Sequence, residues 1–346
     1  MIRVLIVDDS LTIREYFKEI FLMDGEFQIV GEACDGLEAI KKVKSTNPDV
    51  VTMDIKMPNM DGYEATRHIM ETHPIPIVIV SASWIPEEVE STFKAIKVGA
   101  VAGIKKPRGI GTYEYKDDIK EMIKTIKLMS EVKVIKRRSG SISQLIPKTV
   151  IDHHTYKKKS NYDILAIGAS TGGPPVLQHI ISQLSPLTNV PIVIVQHITS
   201  GFLNGLVDWL KKTVSFPVHV ATDKQFIEPG NVYFAPENKH MGIKRNKTIF
   251  LSNDPPEHSI RPSVSFLFRS VNDSFAAKAI GILLTGMGKD GAEELKKMKD
   301  SNAMTMVQDK KSSIVFGMPG EAVRINAARY VLPPDEMITR LNYLIG

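Results

Sequence analysis

The sequence predicts an α/β protein with two doubly wound parallel-sheet domains, an N-terminal (βα)5 unit and a C-terminal α/β unit with an antiparallel hairpin. Three observations predict it. A chain of 346 residues exceeds one ordinary core. Short β-branched runs alternate with helical patterns in both halves, and parallel strands require such crossovers. Between the halves lies a Lys/Arg-rich stretch with Ser-Gly-Ser, Pro147 and no long apolar period, as in an exposed connector. The expected boundaries are 1–125, a basic flexible linker over 126–160, and 161–346.

Taken in order, Val4–Val7, Gln28–Val30, Val50–Met53, Ile77–Val80 and Val101–Ile104 read as strands. Helical patterns such as Leu11–Met23 and Leu37–Lys44 lie between them. From Tyr162 the strand pattern resumes at Ile164–Ile167, Ile192–Val195, Val232–Ala235, Ile280–Leu284 and Met304–Val307. Helical patterns follow at Pro175–Leu184, Phe202–Leu210 and Ala292–Lys299. His240–Lys244 and Thr248–Leu251, separated by Arg245-Asn246-Lys247, suggest a hairpin at one sheet edge.

Composition excludes several classes. Hydrophobic residues at 43% and charged residues at 24% suit a globular protein, and no apolar run approaches the roughly 20 residues that span a bilayer. The N-terminal pattern is not that of a signal peptide. The single cysteine, Cys34, fits a reducing compartment and is expected to be a small buried residue. A cytoplasmic location is expected. Lys133–Ser160 carries eight Lys/Arg against Asp152, so this stretch holds the excess positive charge of a chain whose net charge is +5. The basicity describes a solvated connector, and neither a recognition-helix unit nor zinc-ligand spacing points to nucleic acid.

In doubly wound sheets, groups at the carboxyl ends of strands gather in one crevice. Asp8, Asp9, Asp54, Ser81 and Lys106 all fall at or just beyond strand ends and form one candidate site. Clustered carboxylates require a cation, and Mg²⁺ fits oxygen ligands. Asp54 then becomes a nucleophile towards a phosphoryl donor, with Lys106 pairing the new dianion and Ser81 donating to it. Helix capping explains any one of these aspartates but not the ordered set.

This half resembles the receiver domain of response regulators, through Val7-Asp8-Asp9-Ser10, Met53-Asp54-Ile55-Lys56-Met57-Pro58-Asn59-Met60-Asp61-Gly62, Ser81-Ala82 and Lys106-Pro107. The resemblance implies Asp54 as phosphoacceptor, Asp8, Asp9 and Asp54 as Mg²⁺ ligands, and a histidine kinase as phosphodonor. Gly103 stands where receivers often carry an aromatic three residues before the lysine. Signalling through the Ser81 side and the last strand and helix is therefore expected.

In the second half, Gly168-Ala169-Ser170-Thr171-Gly172-Gly173 follows a strand and precedes a helical pattern, in the Gly-x-Ser-x-Gly form of a nucleophile elbow. A Gly-rich turn with a serine cap is the plainer reading, and neither common nucleotide-loop pattern is satisfied. Serine needs a base. His153 and His154 lie in the linker, His68 and His73 in the first domain, and His179 on the helix after Ser170, as a surface or packing residue. His197 directly follows a strand and so shares the carboxyl edge with Ser170; His240 and His258 are second choices. Asp290, in Thr285-Gly286-Met287-Gly288-Lys289-Asp290-Gly291, would orient the imidazole, or merely cap the next helix.

This segment resembles the catalytic domain of the chemotaxis protein-glutamate methylesterases. The matches include Ile167–Gly173, Gln196-His197, Ala235-Pro236 with His240, Arg261-Pro262-Ser263-Val264, Leu267–Ser270, Leu284–Gly291 and Ser312–Pro319. The resemblance implies a Ser170–His197–Asp290 triad, with Thr171 and Met287 lining the substrate and oxyanion region. It implies hydrolysis of glutamate γ-methyl esters and deamidation of glutamines on methyl-accepting chemoreceptors, without a cofactor for that step. Contact with a membrane would run only through those receptors. Ile198 and Ser265 replace the Met and Asp common at their positions, both expected to be peripheral. The domain order further suggests that an unphosphorylated first domain restrains the esterase. A binding module without catalysis, or an esterase acting on another kind of receptor, are the rival readings.

Overall fold

The computed structural model describes residues 1–81, 86–107, 115–132, 134, 161–199 and 201–346, with side chains for all of these except 86–90. Most of the expected linker, including His153 and His154, lies outside the described residues. Contacts divide the chain into two compact units, Met1–Thr155 and Tyr156–Gly346.

The first unit runs β1 (Ile2–Val7), α1 (Leu11–Asp24), β2 (Phe27–Ala33), α2 (Gly36–Thr46), β3 (Val50–Met53), α3 (Gly62–Thr72), β4 (Ile77–Ser81), α4 (Pro86–Val98), β5 (Ala102–Lys105) and α5 (Tyr115–Ser130). Its sheet has the order β2-β1-β3-β4-β5, with every pairing parallel. Val4–Val7 and Val50–Met53 are buried along their whole length, as strands covered on both faces must be. Asp35 and Asp61 cap α2 and α3 by accepting the amides of Glu38 and Glu64, each at 2.8 Å. Helix α5 continues beyond residue 125 because Ile126 and Met129 are buried. Cys34 is exposed, contrary to expectation. It precedes the cap of α2, where its amide is held by the Glu38 carboxylate at 2.9 Å, and that turn faces outward.

The second unit runs β6 (Ile164–Ala169), α6 (Gly173–Gln183), β7 (Ile192–Gln196), α7 (Leu203–Thr213), β8 (Val218–Val220), β9 (Val232–Phe234), β10 (His240–Ile243), β11 (Ile249–Ser252) and α8 (Val264–Phe275). After a 3-10 turn it continues with β12 (Ala279–Leu283), α9 (Ala292–Asp300), β13 (Met304–Gln308), α10 (Met318–Arg324), β14 (Tyr330–Leu332) and α11 (Pro334–Ile345). Seven parallel strands form the sheet β14-β13-β12-β6-β7-β9-β8. From β6 the chain moves first towards β7 and later returns to β12 on the other side. The switch point therefore lies between β6 and β12, where a crevice opens at the carboxyl ends.

The hairpin β10–β11 forms as expected, but as a two-stranded sheet of its own and not as an edge of the large one. It is fastened to α8, whose Ser270 Oγ accepts the Ile243 amide at 3.0 Å and whose Ser274 Oγ donates to the Ile243 carbonyl at 2.8 Å. Helix α8 buries Val264, Leu267, Phe268, Val271 and Phe275, one continuous helical face, in the core beneath the sheet.

Candidate active site

Strand β6 delivers Ser170 to the switch point. The Ser170 amide donates to the Thr285 carbonyl at 3.0 Å, and its carbonyl accepts from Gly173 N at 2.8 Å, closing a tight turn. Gly172 makes that turn with φ +76, a left-handed conformation that a side chain would strain. Thr285 Oγ1 also donates to the Thr171 carbonyl at 2.9 Å, so the loop after β12 grips the residue following the serine. The same loop approaches closely: a Cβ on Gly286 would stand 2.6 Å from Ser170 Cβ.

His197 leaves the adjacent strand in register. Ala169 pairs with Gln196, and the His197 amide donates to the Ala169 carbonyl at 2.9 Å. Neighbouring strands lie about 4.8 Å apart, so Ser170 and His197 begin side by side. The imidazole Nε2 stands 3.0 Å from Asp290 Oδ2. Nδ1 is buried and has no hydrogen-bond partner among the described residues. With Asp290 ionised, the proton belongs on Nε2 and the Nδ1 lone pair is open to an incoming hydroxyl hydrogen.

Asp290 is 1% exposed and bound from four directions. Besides His197, Oδ2 accepts the Val264 amide at 2.7 Å, while Oδ1 accepts Ser263 Oγ and the Ser265 amide, each at 2.9 Å. These donors form the first turn of α8, a place that favours negative charge. Burial alone would raise the Asp290 pKa, but the hydrogen bonds and charge of His197, with those of Ser265, hold it well below the usual carboxylate range. The side chain does not cap α9, whose N-cap is Gly291.

In the first unit, one ligand oxygen each from Asp8, Asp9 and Asp54 lies within 4.8 Å of the others. Lys106 Nζ reaches Asp8 Oδ2 at 2.6 Å and Asp54 Oδ1 at 3.2 Å. Ser81 ends the neighbouring strand, and its carbonyl accepts the Lys106 amide at 2.8 Å. Burial pushes the Asp54 carboxyl up to about 6; Lys106 opposes this and Asp8 adds to it.

Comparisons with known proteins find relatives of both units. The profile described as CheB methylesterase matches residues 165–341, and that of the response regulator receiver domain matches residues 4–113. A protein-glutamate methylesterase/protein-glutamine glutaminase of Syntrophus aciditrophicus is 47% identical, covering 100% of this chain and 99% of the relative. One from Geobacter metallireducens is 46% identical over 99% of each. The chain belongs to the CheB methylesterase family. The crystal structure of the Thermotoga maritima CheB methylesterase catalytic domain superposes with a TM-score of 0.52 at 36% identity, covering 53% of this chain and 99% of that one.

Within this CheB-family chain, His197 and Asp290 are bonded to each other and Ser170 stands at the neighbouring strand end, with Thr171 and the loop of Met287, itself 40% exposed, beside the serine. The other histidines fall elsewhere. His179 pairs with Asp335 at 2.6 Å, and His258 lies on an exposed loop. His240 is fully buried against Phe266, its Nδ1 accepting the Ser263 amide at 3.2 Å and its Nε2 facing the Pro255 carbonyl at 3.1 Å. It steadies the start of α8 behind Asp290.

Ser265 is not peripheral. Besides its amide bond to Asp290, its hydroxyl accepts the Gly291 amide at 2.9 Å, joining the aspartate loop to α8. Ser263 and Thr285 lay inside quoted motifs, but their roles needed the register between strands and α8. A buried hydroxyl at the end of a strand or the start of a helix was the signal available.

Proposed function

We propose that the chain is a phosphorylation-controlled protein-glutamate methylesterase that also deamidates glutamines on methyl-accepting chemoreceptors. Ser170 Oγ attacks the γ-carbonyl carbon of the side-chain ester, passing its proton to His197 Nδ1. Asp290 stabilises the imidazolium through Nε2–H. The backbone N–H groups of Thr171 and Met287 receive the oxyanion. Collapse of the tetrahedral adduct expels methanol, which takes the proton from His197, or ammonia when the substrate is a glutamine. Water, activated by the same histidine, then releases the glutamate and restores Ser170.

The observation that carries this reading is a histidine bound to a buried carboxylate through one nitrogen, with the other nitrogen buried and unpartnered among the described residues, on the strand end beside the serine turn. The test is incubation of the protein with methylated receptor, following methanol release and receptor mass. Mass loss at methyl-glutamate sites with stoichiometric methanol is expected; an unchanged receptor overturns the reading.

Control belongs to residues 1–125, connected through 126–160 to an esterase over 161–346. Asp54 accepts the phosphoryl group from a histidine kinase, Lys106 pairs with the product dianion, and Ser81 donates a hydrogen bond to it. Asp8, Asp9 and Asp54 would hold Mg²⁺, a fit supported by their clustered oxygens and by the reluctance of buried Asp54 to ionise without added positive charge. When bound, the ion offsets carboxylate repulsion of the incoming phosphoryl group. The protein works in the cytoplasm and meets the membrane only through its receptors. A small phosphodonor with Mg²⁺ should raise the esterase rate of the wild type but not of Asp54→Asn; equal rates with Asp54 demonstrably phosphorylated overturn the control.

A further inference from the structure

Gln196 closes β7 and is 4% exposed. Its carboxamide nitrogen donates to the Ser170 carbonyl at 2.8 Å and to the His197 carbonyl at 2.7 Å, using both hydrogens. Those two acceptors fix the orientation of the amide, because the oxygen in that place would face two carbonyl oxygens. The oxygen is instead turned towards Gly173, where a Cβ would lie only 2.3 Å away, and it is buried with no hydrogen-bond partner among the described residues. A buried acceptor without a donor destabilises a fold. The glutamine thus carries a cost at its oxygen, and what it supplies is the pair of bonds from its nitrogen to the Ser170 and His197 carbonyls.

We propose that Gln196 is a positioning residue that sets the spacing between nucleophile and base. The proposal rests on Ser170 and His197 holding those roles. They stand just past the ends of two different strands, and the last backbone bond between those strands runs from the His197 amide to the Ala169 carbonyl. Beyond it, one rigid, planar NH₂ group bonded to both peptide carbonyls ties Ser170 to His197 directly. A misplacement of about 1 Å between reacting groups can cost on the order of 10²-fold in rate.

The experiment measures kcat and KM of the full chain for an activated ester, with Gln196→Met made in the wild type and in a His197→Ala background. The expected result is a kcat lowered about 10²-fold with KM held within about twofold. In the His197→Ala background, where no base remains to be aligned, the same substitution should cost less than about twofold. An unchanged kcat, or the same fold-loss in both backgrounds, overturns the proposal.

Should Gln196→Met fail to fold, the isosteric Gln196→Glu serves. A protonated carboxyl can still donate to one carbonyl, whereas an ionised one repels both. The wild-type to variant rate ratio should then climb with pH, and a ratio flat between about pH 5 and 9 overturns the proposal. The outcomes separate from the parent reading: an inactive wild type overturns both, while an active wild type with unaffected Gln196 variants overturns only this one.

Discussion

Asp290 Oδ2 lies 2.7 Å from the Val264 amide nitrogen, nearer than its 3.0 Å contact with the His197 imidazole. The carboxylate is held by the start of α8 and then presents a free direction to the histidine. Charge-assisted bonds from backbone amides are among the stronger ones, so the aspartate and α8 behave as one body.

Ser170→Ala should remove nearly all turnover, a loss approaching about 10⁶-fold, because the attacking oxygen is gone while the turn around it remains. Methanol release measures it directly. Retention of most esterase activity would contradict the assignment of the nucleophile.

Asp290→Asn keeps the size of the side chain but no longer dictates an Nε2–H imidazole. A kcat loss of about 10⁴-fold is expected, as for other triads stripped of their carboxylate. A loss below about tenfold on the methylated receptor would show that His197 needs no such partner.

The depressed pKa of Asp290 also has a stability sign. A carboxyl whose folded value lies below its unfolded value of about 3.9 stabilises the fold above that pH. The contribution is lost as pH falls below about 4 and on through the lower folded value. Urea unfolding of the second unit should therefore show a gap between wild type and Asp290→Asn that is present at neutral pH and narrows only as the pH falls below about 4.

Asp54 carries the opposite sign. Its folded pKa, about 6, lies above the unfolded value, so protonation stabilises the first unit. That stability is full below about pH 4 and is lost as pH rises through 6. Asp54→Asn should be more stable than wild type at pH 8, on the order of 2 kcal/mol, with the difference vanishing by about pH 4. Mg²⁺ should stabilise wild type at pH 8 and narrow the gap. Identical unfolding curves at both pH values would count against it.

His240→Leu leaves the buried Ser263 amide without its acceptor, a cost of about 1–3 kcal/mol, which a lowered Tm would register. Because His240 supports α8 from behind and meets no substrate, kcat at low temperature should fall less than about tenfold. A loss comparable to that of Ser170→Ala would instead place it among the reacting groups.

Much of this architecture was legible because strands buried on both faces are continuous apolar runs, and whatever follows them is a crevice residue. That rule, together with the Gly-x-Ser-x-Gly spacing around Ser170, brought Asp54, Ser170, His197 and Asp290 forward. It could not find β8 or β14, since Val218–Val220 and Tyr330–Leu332 are too short to display a period. Nor could it reveal Ser265, whose importance comes from Asp290 folding onto α8, or the choice of Nε2 over Nδ1, which depends on ring orientation. Cys34 misled because composition speaks of averages, whereas an outward turn before α2 settles its exposure.

The attachment of β10–β11 to α8 means that the Asp290 carboxylate inherits its footing from a hairpin that is no part of the main sheet. A lesion in Ile243, Ser270 or Ser274 would tilt the helix and carry Asp290 away from His197. Changes at Ser270 or Ser274 should therefore lower both Tm and activity although neither residue faces the cleft.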